Sequence, residues 1–106
     1  MNERELKERL KFFIGFMVDN GFNCDSIGEY SFSFLNEISH PKYGNCNGIC
    51  NKTRKIIKIK NRASNAMTKT LFHELSHAID EVRDFNEMEN FAETWAQKIY
   101  LRFINQ

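Results

Sequence analysis

Apolar positions along the chain follow two different periods, and each period predicts one type of element. Over residues 3–20 the apolar residues recur at helical spacing with charged residues opposite, which predicts an amphipathic α-helix. Gly21, at the end of this segment, is a candidate for its C-terminal cap. The apolar stripe consists of Leu6, Leu10, Phe13, Ile14 and Met17. Residues 30–34 read Tyr-Ser-Phe-Ser-Phe, and this strict alternation is typical of a half-buried β-strand.

Residues 43–60 predict a β-hairpin for which the sequence offers two turns. The dipeptide Asn47-Gly48 is the stronger turn signal, whereas a turn at Asn51-Lys52 leaves two better-matched strands. Both turns stay open at this point.

The second half of this hairpin lies in a basic stretch, residues 52–62. Ile57 and Ile59 alternate there with lysines, which favours a strand with one buried and one solvated face over a nucleic-acid site. The net charge of the whole chain is only +1. Neither nucleic acid nor a membrane surface is therefore an expected partner.

Two helices are predicted after a loop over residues 61–65. The first runs to about Val82, with Ser64 or Thr68 as its candidate N-terminal cap. The second covers residues 87–103, after a break over residues 83–86. The order of helix, strands, helix, helix predicts an α+β fold, with the two C-terminal helices packed on a small, mostly antiparallel sheet.

The length of 106 residues leaves room for a single domain, residues 1–106. With 42 % hydrophobic and 27 % charged residues, the chain is neither disordered nor fibrous. The acidic N-terminus lacks a signal sequence, and the longest apolar run, residues 12–18, is too short to span a bilayer. Three cysteines are an odd number for a secreted disulfide scaffold. We expect a cytoplasmic monomer, with a secreted fragment as the alternative.

The segment His73-Glu74-Leu-Ser-His77 is an H-E-x-x-H motif inside a predicted helix. A spacing of four residues places both imidazoles on one helix face, where they can bind one Zn²⁺, and Glu74 beside them can take a proton from a metal-bound water. The composition makes a chance occurrence rare, with a probability of about 0.008. The metzincin continuation is excluded, because Asp80 and Arg83 stand where it requires glycine and histidine.

A catalytic zinc needs a third protein ligand, and the last predicted helix offers glutamates for it. Glu89 and Glu93 share one face of that helix with Ala96 and Tyr100, and the small Ala92 and Ala96 allow a close approach to the first helix. One glutamate of the pair could bind the metal. The other could accept the remaining ring N–H of a liganding histidine.

The two motifs together resemble the zinc-peptidase domain of anthrax lethal factor and its relatives. The pattern there is H-E-x-x-H-A-x-D followed by N-E-x-E-x-F-A-E, which residues 73–80 and 86–93 match. Residues 89–96 are also similar to the E-x-x-A-x-x-[FW]-A signature of ImmA/IrrE-type phage and bacterial peptidases. The resemblance implies a minimal zincin fold of the gluzincin type in a bacterial or phage-infected cell. It implies the zinc ligands His73, His77 and Glu89, and a supporting role for Glu93.

One position departs from the lethal-factor pattern. Seven residues before the third ligand that family has a tyrosine that can stabilise the oxyanion, and this chain has Val82. Tyr100, Tyr43 and His40 are the alternative candidates, although a structural role suits each of them as well. Asp80 shares the histidine face and could orient a ligand or cap the helix.

Cys24, His40, Cys46 and Cys50 could form a second, structural zinc site of the Cys₃His type. Buried or loosely placed free thiols fit the spacing better, because a second tight cysteine pair is missing, and a hairpin disulfide is the third alternative. His40-Pro41 predicts a loop that enters the hairpin.

The sequence thus predicts a zinc-dependent endopeptidase that hydrolyses a peptide bond of a specific protein substrate, with Glu74 as the general base of a metal-activated water. The resemblance implies that the substrate pairs with an edge strand of the hairpin, where Lys58 and Lys60 would favour acidic substrate residues. The alternative is a zinc-stabilised, non-catalytic module that binds its protein partner uncut. A toxin fragment delivered by other subunits is a third possibility.

Overall fold

The computed structural model describes residues 1–81 and 84–106 of the chain. In these ranges the chain forms three α-helices, a three-stranded sheet and a two-stranded ribbon, which confirms the α+β class. The helices are α1 (Glu3–Asp19), α2 (Ser64–Ile79) and α3 (Phe85–Ile104). The strands are β1 (Ser31–Leu35), β2 (Ser39–His40), β3 (Gly44–Asn45), β4 (Gly48–Asn51) and β5 (Ile56–Lys60), and a 3₁₀ turn at Asp25–Glu29 precedes β1.

The three-stranded sheet is mixed, so the prediction of a mostly antiparallel sheet is wrong for its longest pairing. Its order is β1-β5-β4, with β5 parallel to β1 and antiparallel to β4. After β1, residues 36–55 contain β2, β3 and β4. Strand β5 follows them, lies between β1 and β4 in the sheet, and runs parallel to β1. Local hairpin signals cannot reveal this insertion, because it depends on a pairing between segments far apart in sequence. The consequence for the site is that β4 is an edge strand.

The hairpin of β4 and β5 uses the later of its two candidate turns. Asn51 pairs with Ile56 across residues 52–55, and its Oδ1 accepts a hydrogen bond from the Arg54 amide at 2.9 Å. Asn47-Gly48 leads into β4 instead of forming a turn. His40 also differs from its prediction, because it ends β2 and pairs with Gly44 of β3 rather than lying in an entry loop.

The first helix has the predicted bounds to within a residue. Asn2 caps it, and Asn2 and Glu5 form a reciprocal capping box. Gly21 adopts a positive φ of 89° after the helix end, as a C-terminal glycine does. Phe13 and Met17 of the predicted stripe are fully buried, and the remaining members are partly buried against the same core.

The predicted caps of α2 are wrong. Its N-cap is Ala63, and Ser64 is already helical. The Thr68 hydroxyl donates to the Ser64 carbonyl at 2.9 Å and accepts from Nε of the buried Arg9 at 2.8 Å. Thr68 is therefore committed to a buried hydrogen-bond network between α1 and α2, where Arg9 needs an acceptor.

The other end of α2 and the start of α3 also differ from the sequence prediction. The helix α2 ends at Ile79, before the predicted end at Val82, with Asp80 as its C-cap. Val82 and Arg83 lie outside the described residues, and Phe85 and Asn86 of the predicted break over residues 83–86 are helical. The helix α3 begins two residues earlier than predicted, because Oδ1 of Asp84 accepts from the Glu87 amide at 2.9 Å and caps it.

The two C-terminal helices pack closely on each other and on the sheet. Ala92 and Ala96 of α3 are fully buried, which confirms the predicted close approach of the two helices. Ile57 and Ile59 of the basic strand are also fully buried while Lys58 is exposed, as their alternation predicts. Of the helices described here, none is long and apolar enough to cross a membrane.

Candidate metal centre

The α2 helix presents both histidines of the H-E-x-x-H motif on one face, as their spacing predicts. Nε2 of His73 lies 3.2 Å from Nε2 of His77, and both side chains are partly buried. The flanking residues Phe72, Leu75 and Ser76 are fully buried. Core packing therefore fixes the face that carries the histidines.

The α3 helix brings Glu89 to the two histidines. Its carboxylate oxygens lie 3.5 Å from Nε2 of His73 and 3.0 Å from Nε2 of His77. Donors placed tetrahedrally at about 2.0–2.1 Å from one zinc ion are about 3.3 Å apart. The two Nε2 atoms are 3.2 Å apart, close to that value, whereas the two Glu89 distances involve different oxygens of its carboxylate. With one donor atom taken from each residue, the three atoms all lie within 4.8 Å of one another. These three residues could therefore hold one metal ion. Among residues 1–81 and 84–106, they form the one cluster of His, Cys, Asp or Glu side chains found with this geometry.

Glu93 takes the position expected of the second glutamate. Its Oε2 lies 3.2 Å from Nδ1 of His73, on the ring edge opposite the metal-facing Nε2. A carboxylate at Nδ1 favours the tautomer that carries its proton there and leaves Nε2 free to bind a metal. Glu93 is therefore placed to fix the orientation of the His73 ring.

We expect Glu93→Ala to weaken metal binding by about 10- to 100-fold, because the orienting partner of His73 is lost. Isothermal titration with Zn²⁺ measures this change, and Glu87→Ala, at an exposed position of the same helix, is the matched control. Equal zinc affinity in Glu93→Ala and Glu87→Ala would exclude this role for Glu93.

Glu74 is buried beside the ligands rather than among them. Only 7 % of the residue is exposed. Burial, and then the negative charge of Glu89, raise its pKa to about 8. A cation bound by the three ligands would oppose this shift by favouring the carboxylate. The arrangement places one carboxyl group next to a candidate metal position and largely out of bulk water.

His77 is held in the neutral form that metal binding requires. Burial lowers its pKa first, and the neighbouring His73 lowers it further, against the opposing effects of Glu89 and Asp80. A neutral imidazole offers its nitrogen lone pair without first losing a proton. Asp80 itself is buried at the C-cap of α2, where its carbonyl accepts from the Lys52 ammonium. Its charge acts on His77 from the end of the helix.

The candidates for oxyanion stabilisation occupy two different environments. Tyr43 and His40 line the cavity that contains the histidines, whereas Tyr100 packs against the hydrophobic core. Tyr43 stacks on Phe85 with ring centroids 5.8 Å apart, and the two residues are 54 % and 53 % exposed. Nδ1 of His40 accepts from the Lys42 amide at 3.0 Å. The predicted departure at Val82 lies outside the described residues.

The cysteines are free thiols, and two of them, Cys46 and Cys50, line the same cavity as the histidines. Cys24 is buried in the core, Cys46 lies near the Ile38 carbonyl, and Cys50 contacts the core next to Tyr30. Burial is the main cause that raises the pKa of Cys50, to about 12. With His40 they do not form a metal-binding group in the part of the chain that the structure describes. The hairpin disulfide alternative is wrong, since Cys46 and Cys50 are both free.

Two cavities meet at the candidate centre. One, of about 410 Å³, lies under the exposed aromatic residues Tyr43 and Phe85. The other, of about 350 Å³, contains Arg62 and Lys69. Both are lined by Gly48, His73 and Glu74. Edge strand β4 thus runs along an open cleft that continues on both sides of Glu74.

Lys58 of the basic strand lies apart from this cleft, whereas Lys52 and Arg62 of the basic stretch line it. Lys58 lies in the central strand β5, between the buried Ile57 and Ile59, so its side chain points to the opposite face of the sheet. There it lines a groove with Lys52 and Arg54. The structure therefore does not bring Lys58 to the candidate ligands.

Phe85, Met88 and Gly48 line the candidate site, although the two motifs do not predict them as site residues. Asp84 followed three residues later by Glu87 is a helix-start signal that could have placed Phe85 and Met88 on α3. The sequence indicates Gly48 only as a turn residue, and no local signal indicates its close approach to Glu74.

Comparison of the chain with protein-family models, curated proteins and solved structures finds no match. The resemblance to zinc peptidases therefore rests on the residues of the two motifs.

Proposed function

We propose that this protein is a zinc-dependent endopeptidase that cleaves a specific protein substrate. The convergence of His73, His77 and Glu89 at 3.0 to 3.5 Å, with the buried Glu74 beside them, carries the proposal. Two histidines and a glutamate are a donor set of catalytic zinc sites, which keep a further coordination position open. The motif resemblance to gluzincin peptidases supports the same metal and the same reaction.

Bound by these ligands, Zn²⁺ would bring the pKa of a coordinated water to about 7 and polarise the substrate carbonyl. Glu74 is the general base: it takes the proton that the attacking water loses and passes it to the leaving nitrogen of the peptide. One water is consumed, the C–N bond breaks, and a carboxylic acid and an amine are released. Glu93 keeps His73 in its liganding tautomer throughout.

The substrate is a peptide segment in extended conformation along β4. Because β4 lies at the sheet edge, its outer backbone groups can pair with an added strand. The cleft beside β4 contains the ligands, and Tyr43 and His40 line it as candidate donors toward the developing oxyanion. Such pairing recognises main chain and leaves selectivity to the side chains around the cleft.

We expect the zinc-loaded protein to cleave members of a peptide library at defined bonds, as read by mass spectrometry. Removal of the metal with a chelator should abolish cleavage, and added Zn²⁺ should restore it, because the ligand set without metal cannot activate water. Cleavage that persists after chelation, or its absence throughout a broad library with zinc bound, would contradict the proposal.

A further inference from the structure

Gly48 occupies the first position of edge strand β4, directly opposite α2. It pairs with Ile59 in the sheet. Its backbone does not adopt the positive φ found at Gly21 and Gly44. Backbone conformation therefore does not demand a glycine at this position, and the reason for one must lie in the space around it.

That space is filled by Glu74 and Thr70. A Cβ built with ideal geometry on Gly48 would lie 2.7 Å from Cγ2 of Thr70, 3.0 Å from Cγ of Glu74 and 3.1 Å from Oε2 of Glu74. Carbon atoms attract each other at about 3.5–4.0 Å and repel at such shorter separations. Gly15 and Gly28, in contrast, have no neighbouring atom within 4 Å of such a Cβ.

Thr70 is held in place on its side of the contact. Its hydroxyl donates to the Ala66 carbonyl at 3.0 Å and accepts from Nη2 of Arg62 at 2.8 Å, so its methyl group is fixed toward Gly48. The carboxylate of Glu74 is the freer of the two groups, because it ends a longer side chain. A side chain at position 48 would therefore displace the Glu74 carboxylate.

We propose that Gly48 is the positioning residue for Glu74. Because it has no side chain, β4 lies directly against the Glu74 carboxyl group and confines it beside His73, at the junction of the two cavities. The catalytic consequence rests on the proposed peptidase function, whereas the positioning itself is a property of the fold.

The test uses Gly48→Ala in a Thr70→Ser background. Serine keeps the hydroxyl and its two hydrogen bonds but removes Cγ2, so the new methyl group meets Glu74 alone. Relative to Thr70→Ser, we expect the double variant to keep its thermal midpoint and zinc affinity. We expect kcat for peptide cleavage to fall about 10-fold or more with little change in KM, because misplacing a reacting group by less than 1 Å is costly. Gly28→Ala is the matched control, since its methyl group meets open space.

Crystal structures of the Thr70→Ser protein and of the double variant, both without metal, give a readout that does not depend on activity. We expect the Glu74 carboxylate to lie farther from β4 in the double variant than in Thr70→Ser. An unmoved carboxylate, or an unchanged kcat, would overturn the proposal. If the zinc-loaded parent protein cleaves no peptide, the peptidase function fails, and the two crystal structures still decide whether Gly48 positions Glu74.

Discussion

Glu74→Gln is expected to lower the rate of peptide hydrolysis by about 10²- to 10⁴-fold, the range that a positioned general base contributes. The amide has nearly the same volume as the carboxyl group, so it should fit the same buried space, 7 % exposed, beside the ligands. It cannot take a proton from water at neutral pH. Because Glu74 is not one of the three ligands, zinc affinity should stay at the parent value.

Single-turnover cleavage assays and zinc titrations on the same preparations separate these effects. Glu87→Gln, an exposed glutamate on α3, controls for the loss of one negative charge. The same substitution discriminates the rival function. A zinc-stabilised binding module would hold its partner uncut in both parent and variant, and Glu74→Gln would then change nothing measurable.

His77→Ala and Glu89→Ala are each expected to reduce zinc affinity by more than about 100-fold, since loss of a supporting partner alone costs 10- to 100-fold. Each substitution replaces one of three residues whose donor atoms all lie within 4.8 Å of one another. Binding to the folded state alone raises stability, by about 2.7 kcal/mol at a metal concentration 100 times the dissociation constant. Added zinc should therefore raise the thermal midpoint of the parent protein and leave both variants unmoved.

Differential scanning calorimetry with and without Zn²⁺ measures this shift. Glu87→Ala is the control for Glu89→Ala, because it removes a glutamate two residues away on the same helix. An equal zinc-dependent shift in parent and ligand variants would mean that the metal binds elsewhere on the protein.

The helices and the buried faces of single strands could be predicted, because both follow from local residue patterns. The stripe of α1 buries Phe13 and Met17 as its 3.6-residue period requires, and the alternation in β5 buries Ile57 and Ile59. The start of α3 at Phe85 differs from the predicted start at Glu87, although Asp84 and Glu87 carry a capping pattern.

The sheet topology could not be predicted from local patterns. The parallel pairing of β1 with β5 joins Ser31 to Ile56. Neither strand carries a residue pattern that selects this partner or this direction, since β-strand periodicity reports which face is buried and not which neighbour is paired. The edge position of β4 follows from that pairing, whereas the family resemblance implies only that one strand of the hairpin lies at the sheet edge.

The candidate site also combines features that local sequence predicts with features that depend on tertiary structure. His73 and His77 are one helical turn apart, so their convergence follows from the sequence spacing, and Glu89 followed from a second local motif. The approach of Gly48 to Glu74, and of Tyr43 to Phe85, joins elements that are distant in sequence. Such contacts exist only once the tertiary structure has formed, which is why the sequence indicates the candidate ligands but not the shape of the cleft around them.

The most direct test of the metal centre is a crystal structure of the zinc-loaded protein with anomalous data collected on both sides of the zinc absorption edge. We predict one anomalous peak bonded to Nε2 of His73, Nε2 of His77 and a carboxylate oxygen of Glu89, at about 2.0–2.2 Å from each. A zinc peak at the cysteines or elsewhere, with these three side chains unliganded, would contradict this prediction.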